Sequence, residues 1–93
     1  MLTNMKEKLV SKEQTILEQI EERSLVLYND DVNTFDHVIH CLMRICKHTA
    51  EAAEQCAYIV HYSGKCSIKH GEYSKLEAQC TALLDQGLSA VIE

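Results

Sequence analysis

The side chains best suited to chemistry lie in two short blocks of the sequence. Asn29-Asp30-Asp31 ends a compact apolar run, and His61 follows Val60 in a later apolar segment. Together the blocks offer an amide oxygen, carboxylates and an imidazole, all of which accept hydrogen bonds. A primary ammonium has three donors and no acceptor, so it suits such a set. Beside an apolar hollow, these groups would select a free peptide N-terminus with a hydrophobic first side chain.

Each block also has an ordinary structural interpretation. Clusters of Asn and Asp mark turns and helix caps, because their short polar side chains bond to nearby backbone amides. A single histidine near a helix end is most often a satisfied structural residue. The pattern therefore permits an ammonium site without establishing that the two blocks meet.

Other chemistries find no support in the sequence. His37 and His40 lie three residues apart on a predicted helix, and we interpret them as exposed polar residues rather than metal ligands. The histidines and cysteines lack the paired spacing typical of tetrahedral zinc sites. No GxSxG, HExxH or glycine-rich phosphate loop occurs. We expect no catalytic residue, no metal site and no cofactor.

Length and charge narrow the class of protein. A chain of 93 residues is enough for one domain. Its net charge of −5 disfavours nucleic acid or a membrane surface as the main partner. Five cysteines, an odd number, follow a charged N-terminus that does not resemble a signal peptide. We therefore expect reduced thiols and a cytoplasmic protein. Cys41, Cys46 and Cys56 lie in helical patterns and are interpreted as small buried hydrophobes.

Hydrophobic periodicity predicts an α+β sandwich. The predicted elements are a strand over 24–28, a helix with Asn33 as N-cap, a helix from the N-cap Thr49 to Gly64, a strand over 65–69, a helix closed by Gly87, and a strand over 88–92. Three short strands and three helices in this order are best arranged as an antiparallel sheet with the helices on one face. Residues 1–23 are polar and form a predicted flexible arm, with transient helicity or one short helix, and 24–93 form the core domain.

The sequence resembles the ClpS adaptors of Clp proteases. The resemblance lies in an apolar strand ending in an NDD block, a helix that carries two β-branched residues, and a later VHxxG block. In this chain they read Leu25-Val26-Leu27-Tyr28-Asn29-Asp30-Asp31, Val38-Ile39, and Val60-His61-Tyr62-Ser63-Gly64-Lys65. The spacing between the first and last blocks also agrees, and the resemblance covers residues 24–93.

The resemblance implies an adaptor that binds N-degrons, the destabilising first residues of proteins, and delivers them to the N-terminal domain of a Clp AAA+ unfoldase for proteolysis. Such an adaptor is not an enzyme, and we expect a monomer that binds proteins starting with Leu, Phe, Tyr or Trp. The arm would take part in delivery. The implied ammonium site comprises Asn29, Asp31 and His61, with Asp30 adding negative potential. The implied side-chain pocket comprises Asn33, Phe35, Val38, Ala57, Val60 and Leu88.

Three departures from the family pattern affect this interpretation. Asn33-Thr34-Phe35 stands where the family commonly has Thr-Pro-Met, and Ala57 stands where a gating methionine is usual. The last third of the chain is diverged, which makes Leu88 the least secure assignment. Ala57 leads us to expect that Ile and Val are also accepted as first residues. One alternative is a non-catalytic interaction domain of the same fold with a vestigial pocket, and a more distant one is a thiol- or metal-responsive protein.

Overall fold

The computed structural model describes residues 21–93. They form β1 (Arg23–Tyr28), α1 (Phe35–Ile45), α2 (Ala50–Ser63), β2 (Lys65–Gly71), α3 (Tyr73–Asp85) and β3 (Ser89–Ile92). This order of elements confirms the predicted α+β fold. The predicted arm lies outside the described residues except for its last three, and Arg23 already pairs with Gly71 in the sheet.

The sheet has the order β2-β1-β3, with β1 antiparallel to both neighbours. Leu25, Val26 and Leu27 are all buried, and Leu25 and Leu27, which point to the same face of the sheet, belong to the core cluster. A bulge between Leu25 and Val26 shifts the register against β2. The central strand therefore provides the apolar floor on which the helices pack.

The core lies between this sheet and the three helices. Its members from α1, α2, α3, β2 and the last segment are Cys41, Leu42, Cys46, Ala53, Val60, Ile68, Leu76, Cys80, Leu83, Leu88 and Ala90. Burying a large apolar side chain contributes roughly 1.5–3 kcal/mol, so these residues supply the main driving force for folding. Within residues 21–93, no helix is both long enough and apolar enough to cross a membrane.

Capping residues fix the ends of α1 and α2 and therefore the loops beside them. Thr49 caps α2 as predicted, since its hydroxyl accepts the Ala52 N–H at 3.1 Å. Gly64 ends α2 in the left-handed region with φ 92°, which glycine adopts without steric cost. The N-cap of α1, however, is Thr34 and not Asn33, and Thr34 accepts the His37 N–H at 3.1 Å. Asn33 is unavailable as a cap because its side chain is bonded elsewhere.

Candidate functional site

The pairing of β1 with β2 brings the two blocks together. Tyr28 ends β1 opposite Lys65, which begins β2. The residues that follow β1 must therefore lie beside the residues that precede β2, where α2 ends. The Asn29 N–H donates to the Gly64 carbonyl oxygen at 2.9 Å, which fixes the acidic block against the end of α2.

A small hollow opens between these segments. Its lining combines polar groups at the loop with apolar groups from the helices, namely Asn29, Asn33, Phe35, Val38, Ala57, Val60 and His61. Ala57 and Val60 are buried, whereas Phe35 is 38% exposed. The enclosed space is only about 30 Å³. The hollow is therefore small in this conformation.

Asp30 is committed to the loop that carries the site. Its Oδ1 accepts the backbone N–H groups of Val32 at 2.9 Å and Asn33 at 2.7 Å, and its Oδ2 accepts the Asn33 side-chain amide at 2.7 Å. Partial burial raises the pKa of the Asp30 carboxyl, but the hydrogen bonds from Asn33 and Val32 and the nearby His37 outweigh it and lower the pKa below its ordinary value. The carboxylate is therefore ionised at neutral pH and rigidly held.

Asn33 connects this loop to the turn after α3. Its Nδ2 donates to Asp30 Oδ2 and, at 2.9 Å, to the Gly87 carbonyl oxygen. Carboxylate and carbonyl oxygens only accept, so the amide nitrogen must face them and the orientation of the amide is fixed. The polar rim of the hollow is thus held by a contact that spans more than half of the chain.

His37 strengthens the same connection. Its Nε2 lies 2.9 Å from the Gln86 carbonyl oxygen, to which it must donate, and 3.7 Å from the Cys41 sulfur. The interpretation of His37 as an exposed residue is wrong, because it is half-buried between α1 and the turn after α3; His40 is exposed. Its helical position gave no sign of this contact, which depends on a turn far along the chain.

The remaining predicted residues lie outside the lining of the hollow. Asp31 is exposed on the loop two residues after Asn29. Leu88 is only 3% exposed and belongs to the hydrophobic core. Asn29, Asn33, Phe35, Val38, Ala57, Val60 and His61 are the predicted residues that the structure brings together around the hollow.

An aromatic cluster extends from the rim of the hollow. The ring of Phe35 lies 5.3 Å from that of Tyr58 and 5.0 Å from that of His61. Tyr62 closes the cluster, at 6.2 Å from Tyr58 and 4.8 Å from His61. Tyr58 was not singled out from the sequence, although its spacing of four residues from Tyr62 places both on one face of a helix.

The thiols have the character of buried structural groups. Burial raises the pKa of Cys46 to about 11, and burial together with the neighbouring Cys66 raises that of Cys56 to about 12. Such thiols contain little thiolate at neutral pH and are poor nucleophiles and metal ligands. Across residues 21–93, no three histidine, cysteine or acidic side chains are grouped so that they could hold a metal ion. These observations weigh against the thiol- or metal-responsive alternative.

Comparison with known proteins agrees with the geometry. Residues 18–91 match the family described as ATP-dependent Clp protease adaptor protein ClpS. The ATP-dependent Clp protease adapter protein ClpS of Thermosynechococcus vestitus is 36% identical over 66 residues, which is 70% of each chain. The protein of that name from Campylobacter jejuni is 40% identical over 52 residues, covering 56% of this chain and 54% of the relative.

A solved structure has the same fold. Agrobacterium tumefaciens ClpS2 bound to L-phenylalaninamide superposes with a TM-score of 0.76 at 18% identity, over 78% of this chain and 95% of that one. At this identity the likeness supports the fold, whereas the sequence matches extend over both blocks of the site. This chain belongs to the ClpS family of adaptors for ATP-dependent Clp proteases.

Proposed function

We propose that this protein is a cytoplasmic N-degron adaptor. It binds the free N-terminus and the bulky hydrophobic first residue of a substrate, and it delivers that substrate to the N-terminal domain of a Clp AAA+ unfoldase for ATP-dependent proteolysis. The observation that carries the proposal is the position of Asn29 and His61, two acceptors, on the lining of a hollow whose other walls include buried Ala57 and Val60.

In this proposal each part of the lining has a distinct role. Asn29, Asp31 and His61 accept hydrogen bonds from the α-ammonium, whose positive charge is matched by the ionised Asp30 behind them. Val38, Ala57 and Val60 contact the first side chain. The phenylalaninamide bound by the Agrobacterium relative supports this division, since that compound has a free α-amino group and a large apolar side chain.

Entry of a first side chain requires the hollow to widen. A leucine or phenylalanine side chain is larger than the enclosed space of about 30 Å³. Phe35 is the most exposed apolar residue of the lining, so its ring is the group that can rotate outward with the least disturbance of the core. We propose that Phe35 moves on binding and then covers the first side chain.

The expected affinity suits an adaptor that must release its cargo. Burying one large apolar side chain contributes roughly 1.5–3 kcal/mol, and each hydrogen bond to a charged group contributes about 1.5–3 kcal/mol. After the costs of association, two or three such contacts leave an affinity on the order of micromolar.

The test compares a peptide that has a free N-terminal leucine with its acetylated twin by calorimetry. Acetylation removes the charge and two donors, so we expect binding to weaken by at least about tenfold, or 1.4 kcal/mol. His61→Ala should reproduce part of this loss, whereas His40→Ala, at an exposed position outside the hollow, should not. Equal binding of both peptides would contradict the proposal.

The alternative function is an interaction domain with a vestigial pocket. The small volume of the hollow favours it, because a large first side chain needs more room. The same titration separates the two functions. A vestigial pocket predicts that neither peptide binds at millimolar concentration, although the fold and any contact with an unfoldase persist.

A further inference from the structure

Two tyrosines extend the candidate site beyond the hollow. Phe35 and His61 line the hollow, and the rings of Tyr58 and Tyr62 continue the aromatic surface outward in a closed cluster of four rings. The two tyrosine rings are nearly parallel, with an angle of 5° between their planes. They are 55% and 77% exposed, which is unusual for large aromatic side chains that could pack further inward.

The two segments that carry these rings have formal charges of one sign, and Lys65, just after the second segment, lies over the Tyr28 ring. The two segments that build the site, residues 29–38 and 54–62, contain no lysine or arginine. Their carboxylates are Asp30, Asp31, Asp36 and Glu54. Glu54 lies four residues before Tyr58 on α2 and therefore on the same side of the helix. A cation would be attracted to this surface, and an acidic side chain would be repelled.

The geometry of an extended peptide selects the position that reaches the tyrosines. Successive residues rise about 3.3 Å and point to opposite sides, so the first and third side chains point the same way about 7 Å apart. The ring of Tyr58 is 5.3 Å from that of Phe35, and the ring of Tyr62 is 6.2 Å further. For a peptide that runs from the hollow across Phe35, the third side chain is the one that reaches Tyr58 and Tyr62.

We infer that Tyr58 and Tyr62 form a tyrosine ledge that binds an arginine side chain at the third position of the substrate. Arginine fits because its planar guanidinium stacks on aromatic faces and is always charged. This inference rests on the proposed function, because the bound N-terminus fixes where the third residue lies. It adds a second determinant of specificity to the first residue.

The experiment is a titration of peptides that begin Leu-Ala and have Arg, citrulline, Ala or Glu as the third residue. The proteins are the parent, the double variant Tyr58→Leu with Tyr62→Leu, and the control Tyr73→Leu at an exposed tyrosine on α3. In the parent, we expect Arg to bind about two- to fivefold more tightly than Ala, and Glu more weakly than Ala. Citrulline, a neutral planar isostere, should lose most of the gain.

In the double variant the ratio of Arg to Ala affinity should fall to about one, because cation–π contacts act only on the third residue and any change at the hollow affects both peptides equally. Tyr58→Phe with Tyr62→Phe should restore the ratio, and Tyr73→Leu should leave it unchanged. An Arg gain that persists in the double variant, or that appears only when Arg is moved to the second position, would overturn the ledge. Failure of the Ala peptide to prefer a free N-terminus would instead overturn the proposed function and the ledge with it.

Discussion

The hollow has two walls that are held in place by different forces. The loop wall, residues 29–34, is fixed by hydrogen bonds: Asp30 accepts three of them, and Asn33 bonds to the Gly87 carbonyl. The helix wall, formed by Ala57, Val60 and His61 on α2, is fixed by burial of its two apolar members in the interior. The acceptors that we propose for an ammonium come from both walls, whereas only the loop wall depends on a polar network.

The two kinds of support predict different responses to mutation. Removing one member of a hydrogen-bonded network destabilises the whole network. Its former partners are left without a hydrogen bond to replace those they made with water. A packed wall changes by degrees, since adding or removing a methylene alters only the available volume. Changes in the loop wall should therefore affect stability and all peptides together, and changes in the helix wall should affect the choice among first residues.

The largest effect is expected for Asp30→Ala. This change leaves two backbone N–H groups and the Asn33 amide without their acceptor. We expect the free energy of unfolding to fall by about 2 kcal/mol and every N-terminal peptide to bind at least about tenfold more weakly. Urea unfolding and calorimetry measure the two effects. Asp30→Asn, which keeps one acceptor oxygen for the backbone amides, should lose less of both.

The dependence of the free energy of unfolding on pH, measured on the acidic side, provides a control for this prediction. The pKa of Asp30 is lower in the folded protein than in the unfolded chain. Its contribution to stability is therefore complete above the unfolded pKa, near about 4, and is lost as the pH falls through the lower folded value. Asp30→Ala should lose less stability than the parent between neutral pH and about pH 3. Equal acid sensitivity in both proteins would contradict a structural role for the carboxylate.

A smaller and selective effect is expected for Ala57→Met on the helix wall. The longer side chain narrows the hollow beside the Cβ of the first residue, where β-branched residues are widest. Apolar pockets discriminate such differences by roughly 1–3 kcal/mol, so Ile and Val peptides should weaken by about tenfold while a Leu peptide changes less. The control is Ala78→Met on the exposed side of α3. If the variant binds Ile and Val peptides as the parent does, position 57 does not gate the site.

The smallest effect on binding is expected for removal of residues 1–20, which include most of the predicted arm. All proposed contacts lie in residues 29–38 and 57–62, so peptide affinity should stay within about twofold. Degradation of a reporter with an N-terminal leucine by an unfoldase and its peptidase should nevertheless fail. Full-rate degradation by the truncated protein would contradict a role of this segment in delivery.

The sequence was sufficient for the order of the elements, but it permitted the meeting of the two blocks without establishing it. Apolar periodicity and the caps Thr49 and Gly64 are local signals that mark where elements begin and end. With only three strands, few arrangements of the sheet are possible, and the antiparallel pairing of β1 with β2 is one of them. The N-cap of α1 was misplaced because Asn33 is bonded to Gly87, a partner 54 residues away that no local pattern reveals. The same limit applies to His37, whose partner lies in the same turn.

The tyrosine ledge was missed for a related reason. Tyr58 and Tyr62 follow helical spacing, but their exposure depends on how α2 sits against Phe35 of α1. Leu88 was assigned to the pocket from a resemblance in the diverged last third, and its side chain lies in the hydrophobic core. Its assignment as a pocket residue stays a prediction.

The strand order has a consequence for how the chain is made. β1 is the central strand, but both of its partners come later, and β3 begins only at Ser89. At about 5–20 residues per second, the ribosome adds the residues between Tyr28 and Ser89 in roughly 3–12 s. During that time one edge of the apolar strand Leu25-Val26-Leu27 has no native partner, and an open apolar edge is prone to pair with other chains. Both edges of β1 are therefore open until β2 begins at Lys65, and one edge stays open until the last strand is made.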